Sequence, residues 1–202
     1  MNPKSARSTG LALRNLLGEV RACTLCALQL PAGPRPVLQA GRTARILIAG
    51  QAPGRRVHAS GIAFDDPSGE RLRDWMGMDR EVFYDPARIA ILPLGFCYPG
   101  TAKSGDLPPR PECARHWRDR LLAQLPDLQL TLVIGKHAQD WHLPDSGTAN
   151  LTELVRNWRR HWPQVLPMPH PSPRNNPWLK ANPWFAVEVL PALRTRIDEI
   201  LE

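Results

Sequence analysis

Four short apolar runs are spaced along this chain with helix-patterned segments between them, and that alternation restricts the fold more than any other feature. The runs are Arg45–Ala49, Ile89–Leu94, Leu130–Ile134 and Gln164–Met168. Each is too short for a buried helix and rich enough in Ile, Leu and Val for a buried strand. Between them lie segments with apolar residues at helical spacing. Leu11 to Arg21 carries Leu11, Leu13, Leu16 and Leu17, and from Ser68, a good N-cap residue, Leu72, Trp75 and Met76 mark one face. Glu112–Leu125, a short stretch from Lys136, Leu151–Trp162 and Phe185–Leu201 are expected to be helical as well. Strands alternating with helices predict a parallel sheet inside a three-layer α/β/α sandwich. Right-handed crossovers would bring the four strand ends to one rim. The segment 31–41 is read as an extended connector, and Gly54–Pro67 and Pro99–Pro111 as loops.

With 202 residues, the chain suits one domain with a full core, here 1–202, with an N-terminal helical arm over 1–44. No apolar run approaches the ~18 residues that span a bilayer. Met1 to Ser8 lacks the apolar stretch of a secretory signal, so a cytoplasmic protein without membrane attachment is expected. The net charge of +7 favours a polyanionic partner, since each cation set against a phosphate releases counterions. In a reducing cytosol the four cysteines point to metal or redox chemistry rather than disulfides. Cys23-x-x-Cys26 places two thiols on one centre, and Cys97 and Cys113 form a second pair. Four thiolates suit a [4Fe–4S] cluster or tetrahedral zinc. A thioredoxin-like redox use of Cys23 and Cys26 is disfavoured, because their helix does not follow a strand.

Two loops at the predicted rim carry the chemistry. Gly50-Gln51-Ala52-Pro53-Gly54 follows the first run, and its glycines let backbone approach a ligand closely. His170-Pro171-Ser172-Pro173-Arg174-Asn175 follows the fourth, bringing an imidazole, a hydroxyl and a guanidinium into five residues between φ-fixing prolines. Together they suit a site that reads a base and grips a phosphate.

In order and spacing these motifs resemble the uracil-DNA glycosylase superfamily, especially its iron–sulfur branches, often called families 4 and 5. The pattern there is G-E-A-P-G, G-x-P-F, a cysteine after the second strand, another downstream, and an H-P-S/A loop. This chain has Gly50-Gln51-Ala52-Pro53-Gly54, Gly61-Ile62-Ala63-Phe64, Cys97, Cys113 and His170-Pro171-Ser172. The longer H-P-S-P-R-N form is similar to the loop of the single-strand-selective monofunctional uracil glycosylases. The resemblance implies a monofunctional DNA glycosylase acting as a monomer on DNA, and it favours a structural [4Fe–4S] cluster on Cys23, Cys26, Cys97 and Cys113, with zinc as the alternative.

It also implies roles. Gly50 and Ala52 would border the base, Phe64 would stack on it, and His170 would steady the departing base anion. Ser172 and Arg174 would meet phosphate or wedge into the stack. Gln51 stands where family 4 has its catalytic Glu, and can only hold water or contact the base through its amide. Phe64-Asp65-Asp66-Pro67-Ser68-Gly69-x-x-Leu72 resembles the D-x-S-G-x-x-L segment of family 5, which relies on an aspartate there. That match makes Asp66 the water activator or the stabiliser of the sugar cation, with Asp65 as its understudy. Acids before Ser68 would also favour the positive end of the next helix. Pro93 replaces an Asn that reads uracil in the related branches, so a broader range of deaminated bases is expected. No lysine is placed as an obvious Schiff-base nucleophile. His58 is expected in a solvated loop, Asn175 and Asn176 in a turn, and Trp178 and Trp184 as anchors of the histidine loop. Two other readings follow from the departures: a non-catalytic nucleic-acid-binding protein of the same fold, and a zinc-stabilised enzyme acting on free nucleosides.

Overall fold

A computed structural model of the chain describes residues 3–103, 105–146 and 149–202. Helix α1 (Pro3–Arg21) leads to β1 (Ile46–Ala49), α2 (Arg55–Ser60), α3 (Pro67–Met76), α4 (Arg80–Phe83) and β2 (Ile89–Ile91). A small hairpin, β3 (Thr101–Ala102) and β4 (Gly105–Asp106), precedes α5 (Pro111–Leu122) and β5 (Leu130–Ile134). Then come α6 (Lys136–His142), α7 (Leu151–Arg156), β6 (Val165–Met168), α8 (Asn176–Ala181) and α9 (Leu190–Leu201).

The four expected strands form one parallel sheet in the order β2-β1-β5-β6. Ile46 pairs with Ile89 on one side and Leu130 on the other, and Thr131 pairs with Val165. Both faces are covered, as a parallel sheet requires. Ile46 and Ile48 point into a core with Leu72, Trp75, Met76, Trp158, Phe185 and Leu193. Leu47 and Ala49 point into a second core with Leu13, Leu16, Leu17, Val20, Trp117 and Leu121. The sandwich has the expected three layers, and α1 supplies apolar surface to one of them.

Several local expectations are corrected. Arg55–Ser60 is helical rather than loop, because Gly54 caps it in extended backbone and Gly61 ends it in the left-handed region at φ 76°. Helix α3 starts at Pro67, not after Ser68: Asp66 is its N-cap, and Pro67 pre-sets the first helical φ. β2 ends at Ile91, three residues early. Beyond it the backbone turns towards the first loop, Leu94 N–H donating to Gly50 O at 3.0 Å and Gly95 N–H to Gln51 O at 2.9 Å. The region 99–111 holds the β3–β4 hairpin. Asn176 opens α8 rather than a turn. The tail is π-helical over Phe185–Val189 before α9 begins, next to Pro191, which has no N–H to give to a regular ladder.

The connector before β1 covers the sheet edge. Gln39 exchanges backbone hydrogen bonds with Ile91 at 3.0 and 2.7 Å, and its side-chain amide donates to Phe83 O and Ile89 O. An exposed β2 edge is thereby paired. Trp178 stacks edge-on against Trp184 and Phe185 and donates to Thr152 Oγ1 at 2.8 Å, fixing α8 to the core.

Candidate active site

The strand order places a switch point between β1, whose next strand lies to one side, and β5, whose next strand lies to the other. Open parallel sheets bind ligands in the crevice at the carboxyl ends there. A cavity of about 610 Å³ occupies this position. It is bordered by the loops after β1, β2, β5 and β6, together with the segment between α2 and α3 and the β3–β4 hairpin.

Phe64 reaches it from a strained backbone. Its φ is 56°, unusual for a bulky side chain. The strain is held from two sides: Tyr84 Oη donates to Ala63 O at 2.9 Å, and the Phe64 carbonyl lies where a Cβ on residue 69 would sit, so only glycine fits there. The ring meets Phe83 edge-on at 6.2 Å and stands 3.7 Å from where a Cβ of Gly50 would be. Glycine at 50 thus gives the aromatic its room.

Asp66 lines the cavity, and its Oδ1 accepts the Gly69 N–H at 2.9 Å as the N-cap of α3. Asp65 does not line it. Its carboxylate pairs with Arg80 at 3.0 Å, which holds it below the usual carboxylate range. Understudy status for Asp65 therefore lapses, since the neighbour that faces the cavity is Asp66.

His170 lines the same cavity. Its Nδ1 accepts the Ser172 N–H at 3.2 Å, which leaves the ring proton on Nε2. Burial lowers its pKa, and Arg174 adds to this while the Asp66 charge opposes it. The ring is therefore a neutral donor at physiological pH. The loop is braced by Asn175 Nδ2 to His170 O at 2.7 Å and Arg71 Nη1 to Ser172 O at 3.2 Å. Ser172 Oγ accepts the Arg174 N–H at 3.3 Å, and the Arg174 guanidinium extends over Gly105 of the hairpin.

Gln51 lies against Gly135 at the end of β5, where a side chain on 135 would collide with its amide. Gln51, Gly50, Ala52 and Pro93 all border the cavity. Behind Pro93, the fully buried Arg118 (1% exposed) donates to Leu92 O at 2.8 Å and Pro93 O at 3.4 Å. Its Nε donates to His142 Nε2 at 3.1 Å. Burial and the facing guanidinium hold His142 down to about 3, and burial lowers Arg118 to about 10. This pair fixes the carbonyls of the wall that carries Pro93.

The charged and titratable bordering residues that escaped the sequence reading include Asp106, Lys136, His137, Arg55 and Arg56. Lys136 borders the cavity, with its ammonium paired to Asp140. Asp106 sits in a proline-rich stretch without a motif, and its one sequence signal is an acid on the connection leaving the second strand. His58 lies on α2, half-buried against the Tyr98 ring at 5.9 Å, and not in a solvated loop.

All four cysteines border a second, much smaller cavity with Phe96, Arg110 and Trp117. No disulfide joins them. Burial pushes the Cys97 thiol up to about 11 and the Cys113 thiol up to about 12. Phe96 N–H points at Cys113 Sγ (3.4 Å) and Trp117 Nε1 at Cys23 Sγ (3.3 Å), while Arg110 Nε is buried without a partner among the described residues. Among the described residues no three His, Cys, Asp or Glu side chains are set to hold a single metal ion. The thiols surround a space rather than closing on a point.

Sheet order and cavity together define an α/β protein with its ligand crevice at the strand ends. The family model described as the uracil DNA glycosylase superfamily matches residues 38–194. The chain belongs to the uracil DNA glycosylase superfamily. The match takes in Gly50, Phe64, Asp66, Cys97, Cys113 and His170, and begins after Cys23 and Cys26. Among the described residues no helix is long and apolar enough to cross a membrane.

Proposed function

We propose that this protein hydrolyses the N-glycosidic bond of a deaminated base turned out of DNA, and that it does so as a monomer without a covalent enzyme intermediate. The observation that carries this reading is that Phe64, Asp66 and His170, distant in sequence, border one cavity. Cleavage sends the bonding electron pair to the base and leaves positive charge on the sugar. Phe64 offers a flat apolar surface to the extruded base. His170, neutral with its proton on Nε2, donates to the base oxygen as negative charge builds there. Asp66 sets a carboxylate towards the cation, and water completes the hydrolysis. Ser172 and Arg174, with Arg55 and Arg56 on the rim, are placed for flanking phosphates. With Pro93 in the wall and Gln51 as the amide nearest the switch point, the substrate range extends beyond uracil to bases such as hypoxanthine or xanthine.

Release of free base from oligonucleotides containing each of these bases tests the reading, with Asp66→Ala and His170→Ala as controls. Normal turnover in both variants would reject the residue roles. A second reading has its own support: Gln51, Ala52 and Pro93 leave the first loop and the second-strand wall without the acid and the amide of related branches. On that reading the protein binds DNA without cutting, and single-turnover assays with excess protein would show binding but no base.

The donor set around the small cavity fits a [4Fe–4S] cluster held by Cys23, Cys26, Cys97 and Cys113. Four thiols border one space, backbone and indole N–H groups already point at two sulfurs, and a buried guanidinium nitrogen lacks a partner. Bound there, the cluster would serve as a cross-link between the segment after α1, the loop after β2 and α5. Iron and acid-labile sulfide in anaerobically purified protein are expected; one zinc per chain in colourless protein would replace that assignment.

A further inference from the structure

We propose that Asp106 is a second working carboxylate of the cavity, the group that takes the proton of the attacking water, while Asp66 faces the sugar cation. This rests on the base-excision reading above. Both acids border the one cavity, Asp66 from the cap of α3 and Asp106 from strand β4. The hairpin folds over the first loop, bringing Asp106 Oδ2 to 3.4 Å from where a Cβ of Gly54 would stand.

The two carboxyl groups are held in different ways. Asp66 Oδ1 accepts the Gly69 N–H at the positive end of a ten-residue helix. A carboxylate oxygen held in place at a helix N-terminus suits a standing negative charge beside a cation. Among the described residues the Asp106 carboxylate accepts no hydrogen bond and has no ion pair. Burial pushes its carboxyl up, and the Asp66 charge pushes it further, while Arg174 draws it down. Asp66 and Arg174 are the charged groups that face it. Two acids whose surroundings differ in this sense divide naturally into a fixed charge and a proton acceptor.

The Arg174 guanidinium near Asp106 is built in. Arg174 crosses above Gly105, whose φ of 143° and missing side chain leave its path open. Its charge draws the Asp106 carboxyl down, against the upward push of burial and of Asp66. In the step itself the bond from C1′ to the base nitrogen breaks and its electron pair leaves with the base, beside His170 Nε2–H. The water oxygen bonds to C1′, and its proton passes to Asp106, which becomes a carboxylic acid until solvent takes the proton back.

The test compares wild type, Asp106→Asn and Asp66→Asn in single-turnover base release across pH. Asp106→Asn should slow release on the order of 10²–10⁴-fold at neutral pH. It should also abolish the acid limb of the wild-type rate profile, with binding to an abasic-site duplex retained or tightened. An Asp106→Asn enzyme that keeps both the wild-type rate and its acid limb would overturn the proposal while leaving base excision intact. Carboxyl NMR titration gives a readout independent of activity: Asp106 should titrate above the ordinary aspartate range and drop in Asp66→Asn. If no oligonucleotide yields free base, the excision reading falls by itself. An ordinary Asp106 titration, unmoved by Asp66→Asn, would then overturn the carboxylate pair as well.

Discussion

The cavity at the strand ends and the cavity among the cysteines both gather groups able to bind or react, but their polar atoms are treated in opposite ways. At the strand ends most of what the chain presents is satisfied, Asp106 excepted: Gly69 N–H caps Asp66, Ser172 N–H holds His170 Nδ1, and the Asn175 side-chain amide braces the His170 carbonyl. Among the cysteines the demand is left open. Cys97 and Cys113 are pushed towards the neutral thiol by burial, and Arg110 Nε has no partner. A site that acts on passing ligands needs its side chains fixed in advance, because each must be positioned before the ligand arrives. A site that holds a permanent group draws part of its order from that group. Substitutions in the first cavity should therefore remove activity and spare the fold; those in the second should do the reverse.

The largest effects test that contrast directly. His170→Ala should lower single-turnover base release on the order of 10²–10³-fold, the usual cost of losing one donor to a developing anion. Its Tm should stay close to wild type. On the proposed cluster assignment, Cys113→Ala should instead lower Tm and soluble yield together with iron content, leaving any recovered holoprotein with near-normal turnover. The comparison breaks if His170→Ala unfolds the protein, or if Cys113→Ala keeps full stability while losing catalysis.

Gly69→Ala sharpens it at intermediate size. The new Cβ would strike the Phe64 carbonyl, so the strained turn must shift. Overpacking of this kind costs about 1–3 kcal/mol, read as a lower denaturant midpoint at unchanged m-value. Because the same turn aims the Phe64 ring, base release should fall too. This is the one site where fold and activity are expected to fail together.

Acid should expose the buried histidines next. His142 is lowered from 6.5 to about 3 in the folded protein, chiefly by burial and then by Arg118. Between those values the unfolded chain binds the extra proton and the native state does not, so unfolding gains from falling pH. The stability contribution is complete above pH 6.5 and is lost progressively down to about pH 3. His170, lowered for the same first reason, acts in the same direction. Denaturant midpoints measured over this range should decline more steeply in wild type than in His142→Gln, which retains an acceptor for Arg118.

The parts visible in the sequence were those that a local pattern encodes. Ile46–Ala49 and Leu130–Ile134 are apolar throughout because both sheet faces are covered, so the runs announce central parallel strands. The loops after β1 and β6 carry residues whose backbone freedom or chemistry is unusual, and they flank the cavity as the strand pattern required. What stayed hidden depended on distant partners. Helix α2 has too few residues for a period, and two glycines set its ends. Asp106 reaches the cavity only because the short β3–β4 hairpin folds over Gly54. Arg118 reads as one more basic residue on an amphipathic helix, yet it is buried against His142 and the carbonyls behind Pro93.

The choice between Asp65 and Asp66 shows the same limit at the scale of one residue. Both precede Ser68, and sequence assigns either to the helix end or to the site. Pro67 at the first helical position makes Asp66 the cap, which turns its side chain along α3 and into the cavity. Asp65 then falls to the outer side, against the exposed Arg80 guanidinium. Solvent-exposed ion pairs of this kind contribute little. Asp65→Asn should accordingly change Tm only slightly and release base at the wild-type rate, while Asp66→Asn in the same assay loses activity. An Asp65→Asn variant as inactive as Asp66→Asn would mean that the outer carboxylate also serves the reaction, and the line drawn here between cavity and rim would have to move outward to include it.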